Sequence, residues 1–160
     1  MRPIQSDDGH VPIGTFLHAE AYKLAAEQLV RDSETGLIKL RFNSPIYHLF
    51  SHAIETVLKS FLLTKGCSPQ ELSRKPYGHN LEELYAACLR RGLRLGRAGW
   101  SWRRDMIQLV NHLHDTPYVL RYHKVGLYRI PTDDALMRLC KILFEAIRPS
   151  VDPRPIPRSR

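Results

Sequence analysis

The side chains of this chain most able to do chemistry are His48, His52, Glu55 and Lys59, which lie four, three and four positions apart in the segment YHLFSHAIETVLKSFLLTKG. At about 100° per residue, those intervals place all four on one face of a helix. The rest of the segment, Tyr47 to Gly66, is apolar almost all the way round, so the helix is expected at the centre of a bundle. A polar stripe in that position needs partners, because buried polar groups are costly unless hydrogen-bonded. Two chemistries suit these residue types. His48 and His52 have the i, i+4 spacing of helical metal sites, and His112, His114 and Asp115 add further groups of the same kind. Leu49 follows His48, however, where the zinc-peptidase signature requires Glu. The preferred reading is structural: Glu55 pairs with Lys59, and the histidines bond to a neighbouring helix or a second subunit. No metal and no cofactor are expected.

A second group lies later in the chain. Tyr118, Arg121, Tyr122, His123, Lys124, Tyr128 and Arg129 interleave rings with cations. Such a segment can stack bases and neutralise phosphates, or form a rim loop with solvated arginines. The charge distribution bears on this choice. Of the net +8, the window from Leu89 to Arg129 carries +7, from nine basic side chains against Asp105 and Asp115. A basic excess so concentrated suits an anionic partner such as nucleic acid, or a solvated surface that keeps the protein soluble.

The elements that must position these residues are helical. The first helix is expected from about Thr15, as N-cap, to Arg31, with Phe16, Leu17, Ala21, Leu24, Ala25, Leu29 and Val30 as its apolar positions. Residues 32–43 read as an extended loop. Ser44-Pro45 starts the second helix and Gly66 ends it. The third runs from Asn80, its cap, to Arg91, with Glu83 completing a capping box and Gly92 as the stop. Ser101 to His114 forms the fourth, for which Trp100 and Trp102 are expected anchors. Thr132 caps a fifth that ends at Pro149. The fold class is therefore all-α, an up-down bundle of four to five helices. Residues 1–13 are expected to be flexible, 14–148 to form the bundle, and the Pro/Arg-rich stretch 149–160 to be disordered. Glu55 and Lys59 interrupt the best candidate for a membrane span, and the N-terminus has no secretory h-region. Three cysteines, Cys67, Cys88 and Cys140, without metal-like spacing suit reduced thiols in a cytoplasmic protein.

The run His52-Ala53-Ile54-Glu55 with Leu58 and Lys59, then Gly66, then Gly78-His79-Asn80-Leu81 with Leu84 and Tyr85, resembles the HEPN family of helical domains. Asn80 stands where that family more often has Asp. Leu120-Arg121-Tyr122 is also similar to a segment of related bacterial proteins. The resemblance spans roughly Phe16 to Ile147, and its specific part runs from Tyr47 to Tyr85. It implies a helical bundle that is commonly a homodimer. It also implies metal-independent ribonuclease activity in toxin–antitoxin, defence or stress systems, or partnership with a nucleotidyltransferase-like antitoxin.

In such enzymes an Arg is followed four to six residues later by a His. The His is general base or acid for attack by a ribose 2′-hydroxyl, and the Arg stabilises the pentavalent phosphate. Arg74 and His79 have this spacing, although they lie earlier than the family's motif and in a Pro- and Gly-containing loop. Arg74 and His79 are therefore the catalytic candidates, and Arg121, Tyr122, Lys124, Lys59 and Glu55 the substrate-binding ones. The alternative for His79 is that it packs at the helix start and bonds Glu55 or a backbone carbonyl. For the whole chain, the alternative is a non-catalytic dimeric module that binds a protein or nucleic acid through its basic face.

Overall fold

The computed structural model describes residues 11–114 and 129–152. Six helices make up this part: α1 (Pro12–Glu34), α2 (Ser44–Thr64), α3 (Pro69–Ser73), α4 (Leu81–Arg90), α5 (Trp100–His114) and α6 (Asp133–Val151). The fold is an all-α bundle, with no strand among the described residues. The helix beyond the expected five is α3. Ser68 caps it with a full capping box: its hydroxyl accepts from the Glu71 N–H while the Glu71 carboxylate takes the Ser68 N–H.

Helix α2 is the axis of the bundle and packs against α1, α4, α5 and α6. Phe50, Ile54, Val57, Leu58 and Leu62 are fully buried on it. Ser51 and Ser60 are buried as well, and each hydroxyl donates to a carbonyl of the preceding turn, on Tyr47 and Val57. Hydroxyls on the buried faces of a helix have to be satisfied within it. At its end Gly66 takes φ 82°, the left-handed conformation that turns the chain out of the helix at no Cβ cost.

Leu81, Leu84, Tyr85 and Cys88 are buried on α4, with Leu89 partly so, and Leu136, Leu139, Cys140, Leu143 and Ile147 are buried on α6. Three expectations change. Helix α1 begins at Pro12, earlier than Thr15, and buries Phe16, Ala19, Ala26 and Val30, while Leu17 and Leu24 are about half exposed. Its apolar residues lie on two faces, so their spacing does not single out the inner one. Pro149 does not end α6, which continues through it to the buried Val151. Burial of Val151 compensates for the intrahelical hydrogen bond that Pro149 cannot donate. Trp102 packs on the core with the Arg138 guanidinium over its ring, which ties α5 to α6, but Trp100 is half exposed, outside the core, with the Arg104 guanidinium over its ring.

The basic window also reads differently in three dimensions. Arg103 is buried and donates to the carbonyls of Ala98 and Gly96, each at 2.6 Å, so it closes the loop before α5 rather than presenting charge to solvent. All three cysteines are free and buried, and burial pushes the Cys88 and Cys140 thiols far up. No helix among the described residues is long and apolar enough to cross a membrane.

Two truncations separate core from surface. Phe50→Ala should lower unfolding free energy by about 3–5 kcal/mol. Leu24→Ala, on the outer face of α1, should change it by no more than about 0.5 kcal/mol. Urea denaturation followed by circular dichroism measures both.

Candidate functional site

Three elements converge on the carboxylate of Glu55, which α2 buries at the axis of the bundle. Its side chain is 4 % exposed. One turn along the same helix, Lys59 Nζ lies 2.5 Å from Oε1. From the loop before α4, His79 Nδ1 lies 3.1 Å from Oε2. From the last turn of α5, His114 Nε2 lies 2.5 Å from the same oxygen. Burial alone would raise the Glu55 carboxyl. The hydrogen bond from His114, the charge and hydrogen bond of Lys59 and the hydrogen bond from His79 outweigh it, and hold the group well below the usual carboxylate range. An ionised carboxylate only accepts, so both imidazole nitrogens that face Oε2 carry their hydrogens.

Local structure explains how the histidines arrive there. Gly78, at φ 44°, lets the chain turn so that its N–H meets the Arg74 carbonyl at 2.9 Å, and this turn delivers His79 to the start of α4. Asn80 caps α4 by accepting from the Glu83 N–H. The reciprocal half of the expected capping box is taken by backbone, since the Asn80 N–H donates to Tyr77 O. The buried Asn111 of α5 then reaches across: its Oδ1 accepts from Leu81 N–H at 2.7 Å and its amide donates to Glu82. Asn111 and His114 are three residues apart on one face of α5. One helix therefore fixes the start of α4 and supplies a partner for Glu55.

The two ends of the network differ in access. The His114 side chain is 7 % exposed, whereas His79 is 68 % exposed. His79 is thus held through Nδ1 by a buried carboxylate while the remainder of its ring faces solvent. The two rings meet edge to face at 5.8 Å. Arg74 ends α3 and is exposed, and its guanidinium makes no hydrogen bond or ion pair among the described residues.

Beside the network, His48 stacks on His52, His52 meets the edge of Tyr22, and Tyr22 meets His18. Burial lowers the His52 pKa, and the nearby imidazoles of His114, His48 and His18 lower it further against the pull of Glu55. Lys59 also borders an open groove of about 810 Å³, whose walls include Thr15, His18, Leu63, Gln70 and Leu72.

Of the residues expected to matter, Glu55, Lys59 and His79 come together. His48 and His52 join an aromatic row along α1 and α2 instead of the carboxylate. Arg121, Tyr122 and Lys124 lie outside the described residues. Residue type and spacing mark His114 only as a group of the metal-ligating kind, not as a partner of Glu55, and do not mark Asn111 at all. Their signal is positional: with Ile107 and Val110 they continue the inward face of α5, where a polar residue needs a buried partner. No family model, curated protein or solved structure matches the chain.

Replacing Glu55 tests the network. Glu55→Gln removes the charge and leaves one amide oxygen to serve three donors, Lys59, His79 and His114, so at least one of them loses its acceptor, which should cost about 1–3 kcal/mol. The sign of its pH dependence follows from the lowered carboxyl. The unfolded chain binds a proton at Glu55 near pH ~4.3, where the folded one does not, so this contribution is complete above that pH and lost below it. His52, also lowered, acts in the same direction from about pH 6.5 downward. In EDTA, wild-type stability should therefore decline on acidification in two stages. Glu55→Gln should lack the lower stage and His52→Gln the upper, as read by denaturation midpoints between pH 3 and pH 8.

Proposed function

We propose that this chain is a HEPN-like RNA-binding domain that cleaves RNA without a metal, with His79 as general base. The supporting observation is the Glu55–His79 pair. A buried carboxylate accepts the Nδ1 hydrogen of an exposed imidazole, which fixes the ring's orientation and leaves Nε2 with a lone pair in the neutral ring. In the reaction, Nε2 takes the proton of a ribose 2′-hydroxyl. The oxygen attacks the adjacent phosphorus, and the 5′-oxygen of the next nucleotide leaves with the proton returned by the Nε2 imidazolium, giving a 2′,3′-cyclic phosphate. Glu55 stabilises the imidazolium, as carboxylates do beside catalytic histidines.

Arg74, free of partners among the described residues and joined to Gly78 through the backbone, is the cation assigned to the phosphate. Lys59, with Arg121, Tyr122 and Lys124 of the aromatic-basic segment, is assigned to substrate binding. The segment containing those last three starts at Tyr118, four positions after His114.

One observation favours the second reading, a non-catalytic dimeric module. The outer face of α1 exposes Leu17, Ala21 and Leu24 without a charge among them. A chain of net +8 repels its own copy, so a self-contact belongs on such an uncharged face.

Labelled single-stranded RNA incubated with the protein in EDTA separates the readings. Cleavage is expected for wild type and for His112→Ala, an exposed histidine on the outer side of α5. His79→Ala should lose about 10²–10⁴ in rate. Glu55→Gln should also be impaired, and Arg74→Ala should lose rate with RNA binding less affected. Equal cleavage by wild type and His79→Ala removes His79 from the mechanism. Salt-sensitive RNA binding without cleavage leaves the binding module.

A further inference from the structure

We propose that Glu55 Oε2, His79 Nδ1 and His114 Nε2 form a binding site for a zinc-class divalent cation, open to solvent on the His79 side. The three donor atoms all lie within 4.8 Å of one another, and they come from α2, the loop before α4, and the end of α5. Two imidazoles and one carboxylate are a donor set that suits zinc and its neighbours, whereas magnesium and calcium require shells of oxygen.

The rearrangement required is small: each neutral ring moves its hydrogen to its other nitrogen, which frees the lone pair that faces Glu55, and the donor atoms spread slightly. Tetrahedral coordination with bonds of about 2.0–2.1 Å separates ligand atoms by about 3.3 Å. Oε2 and His79 Nδ1 are already 3.1 Å apart, and Oε2 and His114 Nε2 at 2.5 Å need to open by about 0.8 Å. Lys59, on the other carboxylate oxygen, holds Glu55 from outside the coordination sphere. Its positive charge opposes the ion, which further disfavours cations bound by charge alone. His114 and Glu55 are buried and set in place by their helices, while the exposed His79 provides the entry path and leaves the fourth position to water.

The site goes beyond the functional reading above and does not depend on it. The two share Glu55 and His79, so a bound ion would withdraw the carboxylate and the Nδ1 position from acid–base work and act as an inhibitor. Metal binding is therefore measured without RNA, and cleavage is measured in EDTA, so either can fail alone.

The experiment is calorimetric titration of zinc chloride into the full chain, prepared without a histidine tag and stripped with EDTA. Saturable uptake of one ion per chain is expected for wild type and for His112→Ala. It should be lost in His79→Ala, whose exposed position leaves the fold intact by circular dichroism, and in Glu55→Gln, which keeps the shape without the charge. Magnesium chloride in the same titration should give no saturable heat. The proposal is overturned if wild type takes up no zinc stoichiometrically, if His79→Ala matches wild type, or if magnesium binds as tightly as zinc.

Discussion

A negative charge at the centre of the bundle has to be satisfied, and much of the architecture can be understood from that requirement. Glu55 lies on the one helix that every other long helix touches, so it cannot turn to solvent. Left alone, a buried carboxylate would take up a proton or unfold its surroundings. Instead, three donors are brought to it: one from its own helix, one from a loop shaped by Gly78, and one from the last turn of α5. The position of α4 follows, because Asn111 fastens its first turn to the helix that carries His114. The only one of the three donors with substantial exposure is His79.

Much of this was legible in the sequence, for reasons that differ from element to element. The polar stripe on α2 was readable because a 3.6-residue period is a local property, and a helix apolar on all other faces declares its burial. The starts of α4 and α6 were readable because Asn80 and Thr132 are cap residues whose hydrogen bonds close within three positions. The pairing of Glu55 with Lys59 is equally local. His79 against Glu55 was one of two alternatives and is realised. His114 was not chosen as a partner, since no local rule brings residues that far apart in the chain together. Arg103 misled for the same reason: its type indicates surface charge, and only the fold of the preceding loop turns it inward onto two carbonyls.

Helix α1 shows the opposite difficulty. Its composition is helical, but apolar residues are spread around it, so the sequence overstated its inner face. Leu17 and Leu24 face outward. The groove beside Lys59 gives the protein apolar surface close to its ionisable cluster. The basic character is somewhat weaker at the surface than composition suggests, because Arg103 is internal and Arg148, over the Phe16 ring, pairs with Glu20.

The distances along the chain between Glu55 and its histidines have a kinetic meaning. His79 is 24 residues away and His114 is 59. Contacts of such separation form only after the intervening loops have closed, and the entropy of closure defers them to the late stages of folding. The cluster is therefore a property of the finished bundle alone. A nascent or partly opened chain holds helices and an apolar surface, but no oriented imidazole, so any chemistry at His79 is withheld until α5 has docked.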